Sequence, residues 1–254
     1  MKLFLSLLVL LTSNNVDTQT SPPALVPFRH GDKWGYADQR QRLVLPLQYD
    51  EAGPFVDGVA WVRQGQAFGY INIGGGLVTP LQFTQVSNFH QGRATVVLAG
   101  ETFDIDPRGQ RLSTPPAPDP EVDVLSQGHI THQNGKLGYR FTVGDAVVPA
   151  EYDEIKEAAN GLLLVRQGQK WGVINGKGKL VLPLTYDAIL ASSENAVPIV
   201  EQQGHFGYLA PDGHLLVKPK YRAAEPFQEG VARVVTDAGQ AGYIDARGEE
   251  YFKD

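Results

Sequence analysis

The sequence contains no cysteine, which removes disulfides, thiolate metal centres, iron–sulfur clusters, cysteine nucleophiles and a lipid-bearing cysteine anchor in one step. It is also short of positive charge. Lysine and arginine number 22 against 28 aspartates and glutamates, a net charge of −6, so no nucleic acid partner is expected, and an anionic membrane surface finds no basic patch. No apolar run approaches the roughly 20 residues of a membrane-spanning helix. The longest, Leu3 to Leu11, is broken only by Ser6 and follows Lys2. It has the length of a secretory h-region, so residues 1–20 are expected to be a signal peptide and the chain to be exported, to the periplasm, cell surface or medium of a bacterium. The cleavage pattern is poor, with Thr12 and Ser13 followed by Asn14 and Asn15. The alternative is an apolar amino-terminal strand, in which case the chain is cytoplasmic. Residues 21–27 read as a linker, because Pro22 and Pro23 disfavour helix and central strand.

What the chain has in excess is turn formers, 28 glycines and 17 prolines in 254 residues. The excess falls on a repeat. Trp34-Gly35 recurs as Phe68-Gly69, Leu137-Gly138, Trp171-Gly172, Phe206-Gly207 and Ala241-Gly242, with Phe103-Asp104 in the remaining slot, at intervals of 34 or 35 residues. Twelve residues after each anchor comes proline, at Pro46, Pro80, Pro115, Pro149 and Pro183, with Pro219 one place late. Fifteen after it stands an aromatic, at Tyr49, Phe83, Tyr152, Tyr186 and Tyr221. Glycines recur seven residues on (Gly75, Gly144, Gly178, Gly213, Gly248, with Gln41 in the first copy) and about 24 on (Gly58, Gly92, Gly128, Gly161, Gly230). A period of this length signals stacked supersecondary units.

The runs Lys33-Trp34-Gly35-Tyr36 and Lys170-Trp171-Gly172-Val173-Ile174-Asn175, the stretches LVLPLQYDEA from Leu43 and LVLPLTYDAI from Leu180, and Phe55 to Ala60 echoed by Phe227 to Ala232 resemble the WG-repeat family, also called KWG repeats. The resemblance covers residues 25–254 as seven units. It departs in the third, where Asp104 replaces the glycine and a proline-rich stretch at 113–120 replaces the last strand. It implies an interaction scaffold, with no catalytic motif attached to the repeat.

Each unit reads as a three-stranded antiparallel meander, for example Val59–Val62, Phe68–Ile71 and Leu77–Phe83, since such short turns join only antiparallel neighbours. The fold class is therefore all-β. A lone meander leaves an apolar face uncovered, so the units stack, as a propeller-like toroid or, alternatively, an open β-solenoid or superhelix. The anchors are expected to be buried between units, so that Trp171→Ala costs about 3–5 kcal/mol. The glycine beside each anchor is expected to admit a neighbouring unit, and the proline to sit at an edge or bulge.

Residues that carry chemistry are sparse. His129 and His132, three apart in an expected strand, point to opposite faces and make no metal pair. Asp50-Glu51, Asp153-Glu154 and Asp187 follow the repeated aromatic, which marks them as turn formers and not as an acid–base pair. Gly74-Gly75-Gly76 and Gly176-Lys177-Gly178 are flanked by strands, which suits hairpins better than a phosphate loop. Trp61 is expected in the core. No catalytic, cofactor or metal residues are expected. The function expected is a non-enzymatic exported scaffold for a protein, peptide or polysaccharide partner. The alternatives are a purely structural envelope component, or a toroidal carbohydrate-active enzyme using carboxylates off the period such as Glu101, Glu157 or Glu194.

Overall fold

A computed structural model describes residues 24–113, 128–142, 146–191 and 197–253. The expected signal peptide, the first three residues of the 21–27 linker, all but the first residue of the 113–120 stretch, and Glu194 lie outside the described residues. The linker's end is corrected, for Val26 and Pro27 already belong to the strand Val26–His30.

The strands form seven sheets, numbered here as blades one to seven in chain order. The central hairpins of the blades are Val26–His30 with Lys33–Ala37, Val59–Gln64 with Ala67–Asn72, Ala94–Leu98 with Glu101–Ile105, Gly128–Gln133 with Lys136–Phe141, Leu163–Gln167 with Lys170–Ile174, Ile199–Gln202 with His205–Leu209, and Val231–Val235 with Ala241–Asp245. An outer strand follows, as in Leu43–Tyr49, Leu180–Tyr186 and Leu215–Tyr221. Beyond the three expected strands, a short inner one leads five of the blades: Glu51–Ala52, Gln85–Val86, Glu154–Glu157, Ala188–Leu190 and Ala223–Ala224. The expected strand at Leu77–Phe83 shrinks to two bridges, Ile71 with Leu77 and Phe68 with Phe83. There Pro80 has no N–H to give, and the Tyr70 N–H goes to the Thr79 hydroxyl at 2.9 Å.

The repeat spacing has a geometric cause. Anchor and aromatic are direct antiparallel partners, Trp34 with Tyr49, Trp171 with Tyr186 and Phe206 with Tyr221, while the residues two after each anchor pair with Leu45, Leu182 and Val217. One residue, the glycine, therefore faces three on the outer strand, and the repeated proline lies in that bulge, where its missing donor is harmless. A Cβ on Gly35 would stand 2.4 Å from the Leu45 carbonyl oxygen, and one on Gly172 2.7 Å from that of Leu182. At these positions the glycine admits the outer strand of its own blade; at Gly242 it admits the Phe252 ring, from the strand that completes blade one. In blade three the described residues after the hairpin make a bridge between Ile105 and Arg111, and Asp104 stands in the glycine's place, accepting from the Thr95 hydroxyl at 2.8 Å.

The expectation for the anchors is corrected too. Trp34 is 5% exposed and packs edge-on against Tyr243 of blade seven, but the other anchors are only half-buried. Trp171 keeps one face toward Lys156 and Arg166, so its truncation removes less burial than a core ring. The fully buried rings include four tyrosines two residues after the anchor, Tyr36, Tyr70, Tyr139 and Tyr208. Their hydroxyls reach the next blade, donating to the carbonyls of Gly53 (2.9 Å), Ser87 (2.8 Å) and Glu225 (2.7 Å), and to the Glu157 carboxylate (2.6 Å).

Closure occurs at the chain's two described ends. Phe252–Lys253 runs parallel to Val26–His30 and completes blade one. The Arg29 N–H donates to the Tyr251 carbonyl at 3.1 Å and that of Gly31 to Lys253 at 3.2 Å. Arg29, itself buried, donates from Nε to the Ala241 carbonyl at 2.7 Å. Fully buried Asp245 binds Arg247, which reaches the Gln39 carbonyl of blade one at 3.2 Å. Inter-blade contacts run from blade four through seven and one to three, and an amide pair, Asn88 with Gln228, joins the turns of blades three and seven. The result is a propeller-like ring. The link from blade three to blade four passes through residues 114–127, outside the described ones.

Candidate functional site

Glycines about 24 residues after the anchors build the site. In the sequence Phe-x-x-Gly the third residue and the glycine both take positive φ: Asp57 (52°) with Gly58 (80°), Gln91 (50°) with Gly92 (73°), and Glu229 (48°) with Gly230 (76°). These are two-residue turns closed by bridges between Val56 and Val59, His90 and Arg93, and Gln228 and Val231. Each projects one polar side chain from its tip. The glycine must be glycine, whereas the residue before it is free to vary at a cost in backbone strain.

The turns of blades two, three and seven meet around a cavity of about 460 Å³. Phe89 and Phe227, buried against Tyr70 and Tyr208, form its apolar floor. Asp57 in turn two holds the Gly92 N–H of turn three at 2.9 Å. Asn88 accepts the Trp61 indole N–H at 2.7 Å and donates to Gln228 across to blade seven. Trp61, half-buried and edge-on to Phe68, is therefore a support for this network as well as a packing residue. A smaller cavity of about 210 Å³ lies where blades seven, one and two meet, between Trp34, Trp61, Arg29 and Arg233.

The carboxylates that follow the repeated aromatic have another use. Asp50 accepts Lys33 Nζ at 2.7 Å and the Gly65 N–H at 2.7 Å. Asp153 does the same with Lys136 and Gly168, and Asp187 with Lys170 and the Gln203 N–H. Each therefore ties the lysine before one anchor to the hairpin of the following blade. These lysine hydrogen bonds, then the backbone N–H, hold all three carboxyls below the usual aspartate range. Glu51 and Glu154 lie in inner strands and pair with Arg63 and Arg166. Glu101 is ion-paired with Arg111 in blade three, and Glu157 is bonded to Tyr139 at the start of blade five, so the two off-period carboxylates do not converge.

His129 and His132 lie in the strand Gly128–Gln133, three residues apart, and no cluster of three or more metal-ligating side chains occurs among the described residues. Gly75 and Gly178 turn at positive φ, the Asn72 and Asn175 carboxamides each accepting two N–H groups of the turn. No helix among the described residues is long and apolar enough to cross a membrane.

The WG containing repeat matches the chain five times, at residues 34–66, 68–101, 142–171, 171–202 and 206–238, more than half of its length. The chain belongs to the WG-repeat family. Three of its matched units, at residues 34–66, 68–101 and 206–238, contain the turns that build the cavity. No curated protein matches the sequence. Among solved structures, this WG-repeat chain is similar to a protein of unknown function from Bacteroides caccae, with 14% identity, 89% of this chain and 90% of that one covered, and a TM-score of 0.34. It is also similar to the extracellular domain of a putative one component system from B. thetaiotaomicron, with 10% identity, 80% and 37% covered, and a TM-score of 0.27. A third is PorZ, a surface component of the type-IX secretion system of Porphyromonas gingivalis, with 11% identity, 88% and 34% covered, and a TM-score of 0.28.

Two features of the WG-repeat ring escape a sequence reading based on the anchors. Tyrosine recurs two residues after them, at Tyr36, Tyr70, Tyr139, Tyr208 and Tyr243, and that step was the available signal for the buried ties. The meeting of three turns carries no sequence signal, because it depends on where each blade stands in the ring.

Proposed function

We propose that this WG-repeat protein is a non-enzymatic, exported binding scaffold whose ligand seats on the axial turns. The observation that carries this reading is the cavity of about 460 Å³ formed jointly by repeat turns from three blades, a concave space with an apolar floor and a few polar groups. The acids that keep the repeat step support the non-enzymatic part, since each is consumed in an inter-blade tie. Export is supported by the leader, Lys2 followed by Leu3 to Leu11.

The test uses the processed protein from the envelope or medium. It is immobilised and screened against a glycan array and against solubilised envelope proteins. A specific, saturable ligand is the expected result. Silence on both screens would favour the purely structural role, and turnover of a bound glycan would overturn the non-enzymatic part. Mass spectrometry of that material is expected to find a new amino terminus beyond Leu11; an intact Met1 would refute cleavage.

A further inference from the structure

Building on the binding-scaffold reading, we propose that the axial cavity takes a neutral, hydroxyl-rich saccharide unit. Its wall combines the amides Asn88, Gln91 and Gln228 with the carboxylates of Asp57 and Glu229, over the floor of Phe89 and Phe227. A sugar hydroxyl both donates and accepts, and amides offer both functions within one planar group. A carboxylate accepts two neighbouring hydroxyls at once. No lysine or arginine lines the cavity, and its one basic side chain is His90, so a phosphate, sulfate or uronate would meet two carboxylates and no permanent counter-charge.

Three of the polar groups, Asn88, Gln228 and Asp57, are also set in advance. The Trp61 indole fixes the Asn88 carboxamide, which in turn engages the Gln228 oxygen and leaves the Gln228 NH2 to donate. One Asp57 oxygen holds the Gly92 N–H, leaving the other to accept. Side chains fixed before binding lose little freedom when a ligand arrives. Gln91 and Glu229 meanwhile hold φ of 50° and 48°, where glycine would be relaxed. The strain is not particular to this cavity, since Gln41, Ala99 and Gln203 hold similar φ elsewhere; what sets Gln91 and Glu229 apart is that they line it.

The experiment titrates the full exported chain by calorimetry with cello-, manno- and chito-oligosaccharides, a sulfated and a uronic acid oligosaccharide, and a lysine-rich peptide. At least one neutral oligosaccharide is expected to bind, and Gln228→Ala and Glu229→Gly to weaken it at least tenfold. Glycine suits the backbone at position 229, so the thermal midpoint of Glu229→Gly should hold or rise, separating a lost contact from a lost fold. Preference for the acidic oligosaccharides or for the peptide overturns the proposal, as does equal affinity in both variants. Absence of binding to every neutral probe overturns it too. In that case a protein ligand whose binding survives Glu229→Gly would leave the scaffold reading standing, and silence there would remove both.

Discussion

Removal of Tyr251 to Asp254 tests whether the ring is held shut where its ends meet. Tyr251 is 0% exposed, and losing a buried aromatic of this size costs about 3–5 kcal/mol. Two hydrogen bonds to blade one go with it, from Arg29 and Gly31 at 3.1 and 3.2 Å, at about 1 kcal/mol each. Asp245, fully buried, also loses the Tyr251 hydroxyl at 3.2 Å. The total, roughly 5–7 kcal/mol, is comparable with the whole stability of an ordinary domain, about 5–15 kcal/mol. A closed ring predicts that urea unfolding shifts by that amount and that the damage reaches blade one. Trp34 is the reporter there, since it stacks on Tyr243 across the junction at 5.7 Å, while Trp171 in blade five is remote. Fluorine NMR of protein labelled with 5-fluorotryptophan should show the Trp34 resonance shifted and broadened and that of Trp171 unchanged. In an open stack, loss of a terminal element is local. A destabilisation below about 2 kcal/mol with an unmoved Trp34 resonance would refute closure.

The tyrosine ties predict that Tyr208→Phe costs about 1–2 kcal/mol, since it deletes one hydrogen bond and strands the Glu225 carbonyl; thermal unfolding reads it, and a neutral effect would deny the tie. The two classes of glycine predict a contrast in the same blade. Gly168→Ala meets nothing within 4 Å and bears only the penalty of φ +63°, about 1–2 kcal/mol, whereas Gly172→Ala collides with the Leu182 carbonyl and should cost about 3 kcal/mol. Equal effects in urea titrations would contradict the bulge. Asp50, Asp153 and Asp187 have carboxyl pKa values depressed in the folded state by their lysine partners. Their contribution is therefore fully present above the unfolded value, about pH 4, and is lost as the pH falls through the lower folded values. The joint Asp→Asn variant at these positions should flatten the fall in thermal midpoint below pH 4, and an unaltered profile would show that the ties contribute nothing.

Much of the ring was legible because its construction repeats. The interval between anchors set the number of blades, and the prolines marked a broken outer strand before the register of Trp34 with Tyr49 and Tyr36 with Leu45 showed the bulge. Burial was harder to read. Tryptophan and phenylalanine dominate a sequence pattern by their bulk, yet Trp171 and Phe206 are half-buried while Tyr36 and Tyr208 are enclosed. A tyrosine is driven inward here by a specific acceptor 17 residues further on, and no local pattern of hydrophobicity encodes that partner. Closure was hidden for a similar reason. Phe252–Lys253 pairs in parallel with a strand more than 200 residues away, whereas turn lengths speak only for neighbours.

The same logic separates structure from function at the axial turns. At Asp57-Gly58, Gln91-Gly92 and Glu229-Gly230 the glycine keeps the repeat step because positive φ demands it, while the residue before it changes from blade to blade under the same demand. If that position served only the turn, asparagine, aspartate or glycine would suit every copy, since these adopt the left-handed region at least cost. Gln91 and Glu229 do not follow that rule, and both line the cavity. Gln203, before Gly204 at φ 54°, departs from the rule as well, so the turn alone does not mark a contact residue; what distinguishes Gln91 and Glu229 is their place in the cavity wall, which the Glu229→Gly titration tests.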